Sequence, residues 1–276
     1  MIICLSIQPL CLWSFRLLIE INCNVCSHDK SEEKTYFVRY SCLRSVRDDG
    51  IYEFECPEGH RSITVLRTPK HEVLFAIASN ALLDGYLRES IASFAASLER
   101  FYEFVIRVIC RAKSIPQQDI KKCWKSISKQ SERQLGAFTM LWFVEMGSPP
   151  DLLSNPMVEL RNQVIHQGKV PTYQECIKFG QAVIDVISPI ECKMLDQFSD
   201  SHKDECFELS RSVREKHEQP LTILSIRSPL DAAIQENVDL GICLERLCLH
   251  RKIQGIPCIG SEFIRATAVQ PVHKET

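Results

Sequence analysis

The chain has 276 residues, of which 45% are hydrophobic and 25% are charged, the composition of an ordinary globular protein. Its formal net charge of -2 argues against a protein whose whole surface attracts nucleic acid, although a local basic patch remains compatible with that charge. The length allows one large domain or two to three small ones.

Residues 1–21 are predicted to be an apolar leader. No basic residue precedes the apolar run, and Arg16 and Glu20 lie at its far end, which favours a packed or poorly structured leader over an export signal. The uncharged run is also short for a bilayer span, and no other segment is apolar enough to cross a membrane.

Residues 22–70 are predicted to form a small β segment resembling a zinc ribbon. Three runs rich in Tyr, Phe, Ile, Val and Thr are predicted strands, at residues 35–40, 50–56 and 61–67. Such short strands bury too little apolar surface to fold alone, so a bound metal would supply the remaining stability.

Four residues of this segment have the spacing of zinc ligands. Cys23 and Cys26 are separated by two residues, which lets both thiolates face one ion, and Cys56 and His60 form a second pair. About 29 residues separate the pairs, which is compatible with a strand hairpin between them. The sequence therefore predicts a closed, structural Zn²⁺ site.

Other cysteine and histidine residues are less favoured as metal ligands, because their spacing is less typical of zinc sites. Within the same segment, Cys42 and His28 are the nearest alternative ligands. A set in the tail has suitable chemistry at irregular spacing: Cys243, Cys248, His250 and Cys258. The 14 cysteines form no obvious disulfide framework, and the paired knuckles favour thiolates in a reducing compartment, so the protein is predicted to be cytoplasmic.

From about residue 73 to residue 198, the apolar period predicts a helical bundle. One stripe is expected on a single long helix: Leu83, Leu87, Ile91, Phe94, Leu98, Phe101, Val105 and Val108. Two more helices are predicted over residues 119–129 and 132–146, the second ending at Gly147.

A short helix and a longer one follow in the predicted bundle. Asn155 is the expected N-cap of the short helix, which ends at Gly168. Thr172 and Glu175 form a capping box that opens the next helix. The expected buried face of that helix is Cys176, Phe179, Val183, Val186 and Ile190.

Residues 199–276 are a C-terminal region to which we assign no fold. Within it, residues 210–217 and 229–248 have helical character, and residues 221–226 are a candidate strand. No internal repeat is present.

The short helix carries Arg161, Asn162 and His166, a combination suited to RNA cleavage without a metal. Arginine binds phosphate with a forked set of donors and keeps its charge, while histidine moves protons near neutral pH. Asn162 and His166 are four residues apart and share a helix face. The alternative is a solvated helix end, where Arg and His also interact favourably with the helix dipole.

The order Arg161-Asn162-x3-His166, followed by Gly168 and an amphipathic helix, resembles the motif of the HEPN superfamily. An earlier acidic helix that includes Glu99 strengthens the resemblance, which covers residues 73–196. The resemblance implies a dimeric helical bundle acting as a metal-independent endoribonuclease. Arg161 and His166 would be its catalytic pair, Asn162 an accessory residue and Glu99 a member of its polar network.

The resemblance also implies a set of expected partners. These are RNA, a second copy of the chain and, as for prokaryotic relatives in toxin–antitoxin or antiphage systems, an antitoxin or another protein. Many HEPN members are non-catalytic, so a dimeric interaction or RNA-binding module with a structural zinc ribbon is the alternative function. No P-loop, dinucleotide-binding or serine-hydrolase motif occurs in the sequence. The expected fold class is α+β, mainly α.

Overall fold

The computed structural model describes residues 18–258, except residues 27, 31–34, 38–39, 227, 254 and 257. The strands of this part are β1 (Leu18–Asn22), β2 (His28–Lys30), β3 (Thr35–Phe37), β4 (Ser41–Ser45), β5 (Ile51–Glu55), β6 (Arg61–Leu66) and β7 (Leu221–Leu224). Its helices are α1 (Lys70–Leu83), α2 (Leu87–Ala112), α3 (Gln117–Ile127), α4 (Ser131–Met146), α5 (Asn155–His166), α6 (Tyr173–Arg214), α7 (Pro229–Glu236) and α8 (Leu240–Ile253). The predicted α+β class, mainly α, is confirmed.

The strands form three small sheets. Strand β1 pairs antiparallel with β4, and β2 pairs antiparallel with β3. The β5–β6 hairpin is extended by β7, which runs parallel to β6 and places Ile63 opposite Leu221. Five of the six residues of β6 are buried, as expected for a strand whose two faces are both covered.

Two of the three predicted strands match the structure over most of their length. The runs at 50–56 and 61–67 correspond to β5 and β6, whereas the run at 35–40 matches β3 only over its first three residues. Residues 18–21, which we expected in the apolar leader, belong to β1, where Ile19 and Ile21 are buried and alternate with exposed neighbours. Residues 1–17 of the predicted leader lie outside the described residues.

The predicted long helix is two helices, so the expectation of one continuous helix beginning near Leu83 is wrong. Leu83 is the last residue of α1, and α2 begins at Leu87. Gly85 lies between them at φ +80°, a left-handed conformation that ends a helix and that side chains other than glycine rarely adopt. From Ile91 onwards, the predicted stripe is buried as expected.

The helices after α2 agree closely with the predictions. Helix α4 ends at Gly147 in the left-handed region, as expected from the glycine. The N-cap of α5 is Ser154, and Asn155, the expected N-cap, is the first helical residue. Thr172 and Glu175 make both hydrogen bonds of a capping box at the start of α6. All five residues of the predicted buried face of α6 are buried.

Helix α6 is 42 residues long and bends at Phe198, whose φ of -130° and ψ of 29° are not helical. The predicted boundary between residues 198 and 199 falls at this bend, and the helix continues beyond it to Arg214. Within the described residues, no helix is both long and apolar enough to cross a membrane.

The region to which the sequence assigns no fold forms β7, α7 and α8. The helical character predicted over residues 229–248 is divided at Asn237, which has a positive φ of 51°. Leu240 and Leu244 of α8 are fully buried in the same core as α2 and α6. A buried ion pair between Arg251 and Asp84 joins α8 to the turn that follows α1.

Gly180 of α6 lies where this helix packs most closely against its neighbours. A Cβ atom at this position would lie 2.5 Å from Leu240 Cδ2 of α8 and 2.9 Å from Phe94 Cε2 of α2. Both neighbouring side chains are fully buried, so neither can move away easily. Only glycine fits this contact without displacing the core.

We expect Gly180→Ala to lower the free energy of unfolding by about 1–3 kcal/mol, because the added methyl group overpacks the core. The matched control is Gly136→Ala in α4, where a Cβ would meet no atom within 4 Å. That substitution should raise the free energy of unfolding by about 0.5–1 kcal/mol through helix propensity. Urea denaturation measures the free energy of unfolding of both variants. Equal stability of the two variants would contradict the close contact of Gly180 with its neighbours.

Candidate metal centre and Arg–His helix

The four predicted zinc ligands are positioned by two strand ends and their turns. Cys23 directly follows β1, and its backbone N–H donates to the Tyr40 carbonyl at 3.0 Å. Cys56 follows β5 and His60 precedes β6, so the turn of the β5–β6 hairpin carries the second pair. Gly59 has a φ of +77° in this turn, and its N–H donates to the Cys56 carbonyl at 2.9 Å.

The ligand atoms of Cys23, Cys26, Cys56 and His60 all lie within 4.8 Å of one another. The Cys26 and Cys56 sulfurs are 3.8 Å apart, and His60 Nδ1 lies 3.1 Å from the first and 3.6 Å from the second. A tetrahedral zinc ion with Zn–S bonds of about 2.3 Å requires a sulfur–sulfur distance of about 3.8 Å. The donor set and its geometry therefore fit zinc.

The three cysteines are buried, and Tyr40 and Phe54 pack against them. Burial, together with the adjacent thiols of Cys23 and Cys56, raises the pKa of the Cys26 thiol to about 12. Burial also raises the pKa of Cys56, but hydrogen bonds from the backbone of His60 and Glu58 outweigh this and lower it to about 7. A metal would bind the thiolates and release their protons, so its affinity would fall in acid.

A centre with three cysteines and one histidine leaves no open position for a substrate, so its role would be structural. Zinc bound there would connect the end of β1 to the β5–β6 hairpin, two parts of the chain with little apolar core between them. Cys42, an alternative ligand in the sequence, lies in β4 opposite Ile21 and outside this group. His28, the other alternative, lies in β2.

Arg161 lies on α5, which packs against α2 through the buried Leu160 and Val164. Its Nη2 donates to Glu99 Oε1 of α2 at 2.6 Å, and its Nη1 donates to Asn162 Oδ1 at 3.0 Å. The Arg161 side chain remains 21% exposed. Since a guanidinium has five N–H donors, Arg161 keeps donors for a ligand while Glu99 and Asn162 orient it.

His166 is the last residue of α5 and is exposed. It is five residues from Arg161, a separation of about 140° around a helix. The hydrogen bonds of the described residues do not join the two side chains. The structure thus brings Arg161, Asn162 and Glu99 together and places His166 one turn further along the same helix.

The second candidate group of metal ligands, in the C-terminal region, does not come together as one group of ligand atoms among the described residues. Cys243 and Cys248 are buried in α8, whereas His250 is exposed. The Cys258 thiol donates to the Cys248 carbonyl at 3.7 Å. Packing in the core explains the two buried cysteines.

A cavity of about 410 Å³ lies between the β4–β5 turn, the end of β6, α1, α2 and the second half of α6. Its lining includes His71, Phe104 and Cys206, which come from three different helices. Sequence reasoning did not find this cavity, because the bend of α6 that forms one wall has no motif of its own. The available signal was the pair His202 and Cys206, four residues apart and therefore on one helix face.

No family model, no curated protein and no solved structure matches this chain.

We expect Cys56→Ser to abolish stoichiometric zinc, because it removes one of four ligands from a closed site. Purified wild type should contain about one zinc per chain by elemental analysis. Cys42→Ser, which changes a cysteine outside the group, is the control and should keep the metal. Wild type that binds no zinc even after refolding with it would contradict the assignment.

Proposed function

We propose that the protein acts on RNA as a HEPN-like, metal-independent endoribonuclease, with Arg161 and His166 as the catalytic pair. The observation that carries the proposal is the 2.6 Å ion pair from Glu99 to Arg161, which holds a partly exposed guanidinium beside Asn162. A paired yet accessible arginine is suited to stabilising charge on a phosphate.

The chemistry would be attack of an RNA 2′-hydroxyl on the adjacent phosphate. His166 would take the hydroxyl proton or protonate the leaving oxygen, and Arg161 would stabilise the negative charge that grows on phosphorus. Glu99 and Asn162 would act as positioning residues for Arg161. Neither the zinc ligands nor an added divalent metal enters these steps.

A homodimer is part of the proposal. Val158, Asn162 and His166 follow one another at intervals of four residues and so share one face of α5. Val158 and His166 on this face are exposed, and Val158 is apolar. Two copies that meet along α5 would bring two Arg161 and two His166 side chains to one cleft. The zinc-ribbon-like segment would then bind RNA or position a partner protein.

Cleavage of RNA without added divalent metal tests the proposal. We expect Arg161→Ala and His166→Ala each to lower the cleavage rate at least about 100-fold, the usual contribution of a charge stabiliser or a general acid–base group. Arg214→Ala and His250→Ala change exposed residues at the ends of α6 and α8 and should leave the rate unchanged. Strict dependence on magnesium, or full activity of either catalytic variant, would contradict the proposal.

Replacing Glu99 tests whether the ion pair positions the arginine. We expect Glu99→Gln to lower kcat about tenfold with little change in RNA affinity, because Arg161 stays charged but is less constrained. Glu89→Gln, on an exposed part of the same helix, is the matched control. Single-turnover cleavage beside RNA-binding titrations measures both quantities, and a change in affinity alone would show that Glu99 does not act on the chemical step.

An interaction module without catalysis is the second candidate, and the exposed face of α4 favours it. Met140, Phe143 and Val144 are 62%, 47% and 69% exposed, which is unusual for three large apolar side chains on adjacent turns. Such a face fits a protein partner, of which an antitoxin is one example. If wild type and both catalytic variants fail equally to cleave several RNAs, this function replaces the first.

A further inference from the structure

The bend of α6 brings together three residues that a straight helix would keep apart. Glu191 precedes Phe198, whereas His202 and Cys206 follow it. Residues 11 apart on a straight helix are separated by about 16 Å along its axis. Across the bend, however, His202 Nε2 lies 2.6 Å from Glu191 Oε1.

Both ring nitrogens of His202 have a partner in this cluster. Nε2 contacts the Glu191 carboxylate, and Nδ1 lies 3.9 Å from Cys206 Sγ. The His202 ring also makes an edge contact with Phe104, with ring centroids 5.0 Å apart. A thiol, an imidazole and a carboxylate in this order have the arrangement of an activated nucleophile, its base and the group that orients the base.

Cys206 lines the cavity and is half-buried, so this residue borders the space that a ligand would occupy. The volume of about 410 Å³ lies within the range of small-molecule sites. His71 lines the same cavity, is 3% exposed, and its buried Nδ1 has no hydrogen-bond partner. A buried polar atom without a partner is costly, and a ligand in the cavity would supply one.

Arg67 is a lining cation that is available to an anionic ligand. The Arg67 guanidinium lies 4.9 Å from the centre of the ring of Phe207, the residue that follows Cys206 in the chain. The Arg67 Nε donates to Ser225 Oγ at 3.1 Å. Four other lining cations are each paired with a carboxylate: Arg47 with Asp49, Lys70 with Asp48, and Arg100 and Arg107 with Glu103. For Arg67, the described contacts include no carboxylate, so a ligand anion can take that place.

The protonation states suit this arrangement. Burial lowers the pKa of His202, but the hydrogen bonds with Cys206 and Glu191 outweigh it and raise the pKa to about 10. From α1, the His202 imidazole also faces His71, whose pKa burial lowers to about 4, and Glu72, whose pKa burial raises to about 8. His202 is therefore a cation at neutral pH, and its Nδ1 lies 3.9 Å from the Cys206 sulfur.

We infer that Cys206, His202 and Glu191 form a nucleophilic cysteine site that accepts acyl groups from small anionic esters or thioesters bound in this cavity. Cys206 is the nucleophile, His202 moves the proton, and Glu191 orients His202. Arg67 binds the anionic end of the substrate. The site uses none of the residues of the proposed RNA chemistry, so either activity can fail without the other.

The reaction has two balanced steps. The Cys206 thiolate attacks the acyl carbon, a C–S bond forms, the bond to the alcohol or thiol leaving group breaks, and the leaving group takes the proton held on His202. Water then attacks the thioester, gives one proton to His202, and the Cys206 thiolate leaves. The products are a carboxylic acid and the free alcohol or thiol, without an oxidant, a reductant or a metal.

Alkylation by iodoacetamide at pH 6, followed by peptide mass spectrometry, tests the nucleophile in the wild-type protein. Cys123 and Cys192 are exposed and serve as internal references. We expect Cys206 to react at least about tenfold faster than either reference, because a positively charged imidazole lies beside its sulfur. A rate equal to or below those of the references would overturn the inference, and this comparison needs no variant.

His202→Gln should bring Cys206 to the rate of the references, with circular dichroism as the check on folding. A folded His202→Gln protein in which Cys206 keeps its high rate would also overturn the inference.

Acylation tests the substrate class, with mono-p-nitrophenyl succinate as the anionic probe and p-nitrophenyl butyrate as the neutral one. We expect a succinyl group on the Cys206 peptide, and Arg67→Gln should slow its formation about tenfold while leaving the neutral probe unaffected. No acyl group on Cys206, or equal rates for wild type and Arg67→Gln with the anionic probe, would overturn the assignment.

Discussion

Helix α2 buries one apolar face against α1 and α6, and the positions of the other elements depend on that packing. Phe94, Phe101 and Val105 of this face are fully buried, and no other described helix has as many buried residues. At 25 cal/mol per Å² of apolar surface, burial of such side chains is the largest favourable contribution to folding. The same helix presents Glu99 to Arg161 of α5 and Phe104 to the cavity that Cys206 lines. The packing of α2 therefore positions residues of both the Arg161 site and the Cys206 site.

The sequence predicted the parts of this fold whose signals are local. The capping box of Thr172 and Glu175 starts α6, Gly147 ends α4, and the apolar period locates the buried face of α2. The two capping signals act within one turn of helix, and the apolar period repeats over several turns of the same helix. The group of Cys23, Cys26, Cys56 and His60, whose atoms are close enough to hold a metal ion, was also predicted from local spacing, because two residues between cysteines already define a knuckle.

The parts that could not be predicted depend on contacts between distant residues. The pairing of β7 with β6 joins residues separated by about 160 positions, and a four-residue strand gives no signal of its partner. The break at Gly85 interrupts a stripe that continues in register on both sides, so the period alone suggested one helix. The bend at Phe198 likewise has no proline at the bend itself, and the cluster of Glu191, His202 and Cys206 exists only because of it.

We propose a structural metal in the β segment and RNA chemistry at Arg161, which Glu99 orients. The chemical ends of the cleavage products test the proposed route of RNA cleavage most directly. Wild type acting without added divalent metal should leave a 2′,3′-cyclic phosphate on one fragment and a 5′-hydroxyl on the other, because the 2′-oxygen is the nucleophile. Products with a 5′-phosphate and a 3′-hydroxyl would require water as the nucleophile and would contradict the roles given to Arg161 and His166.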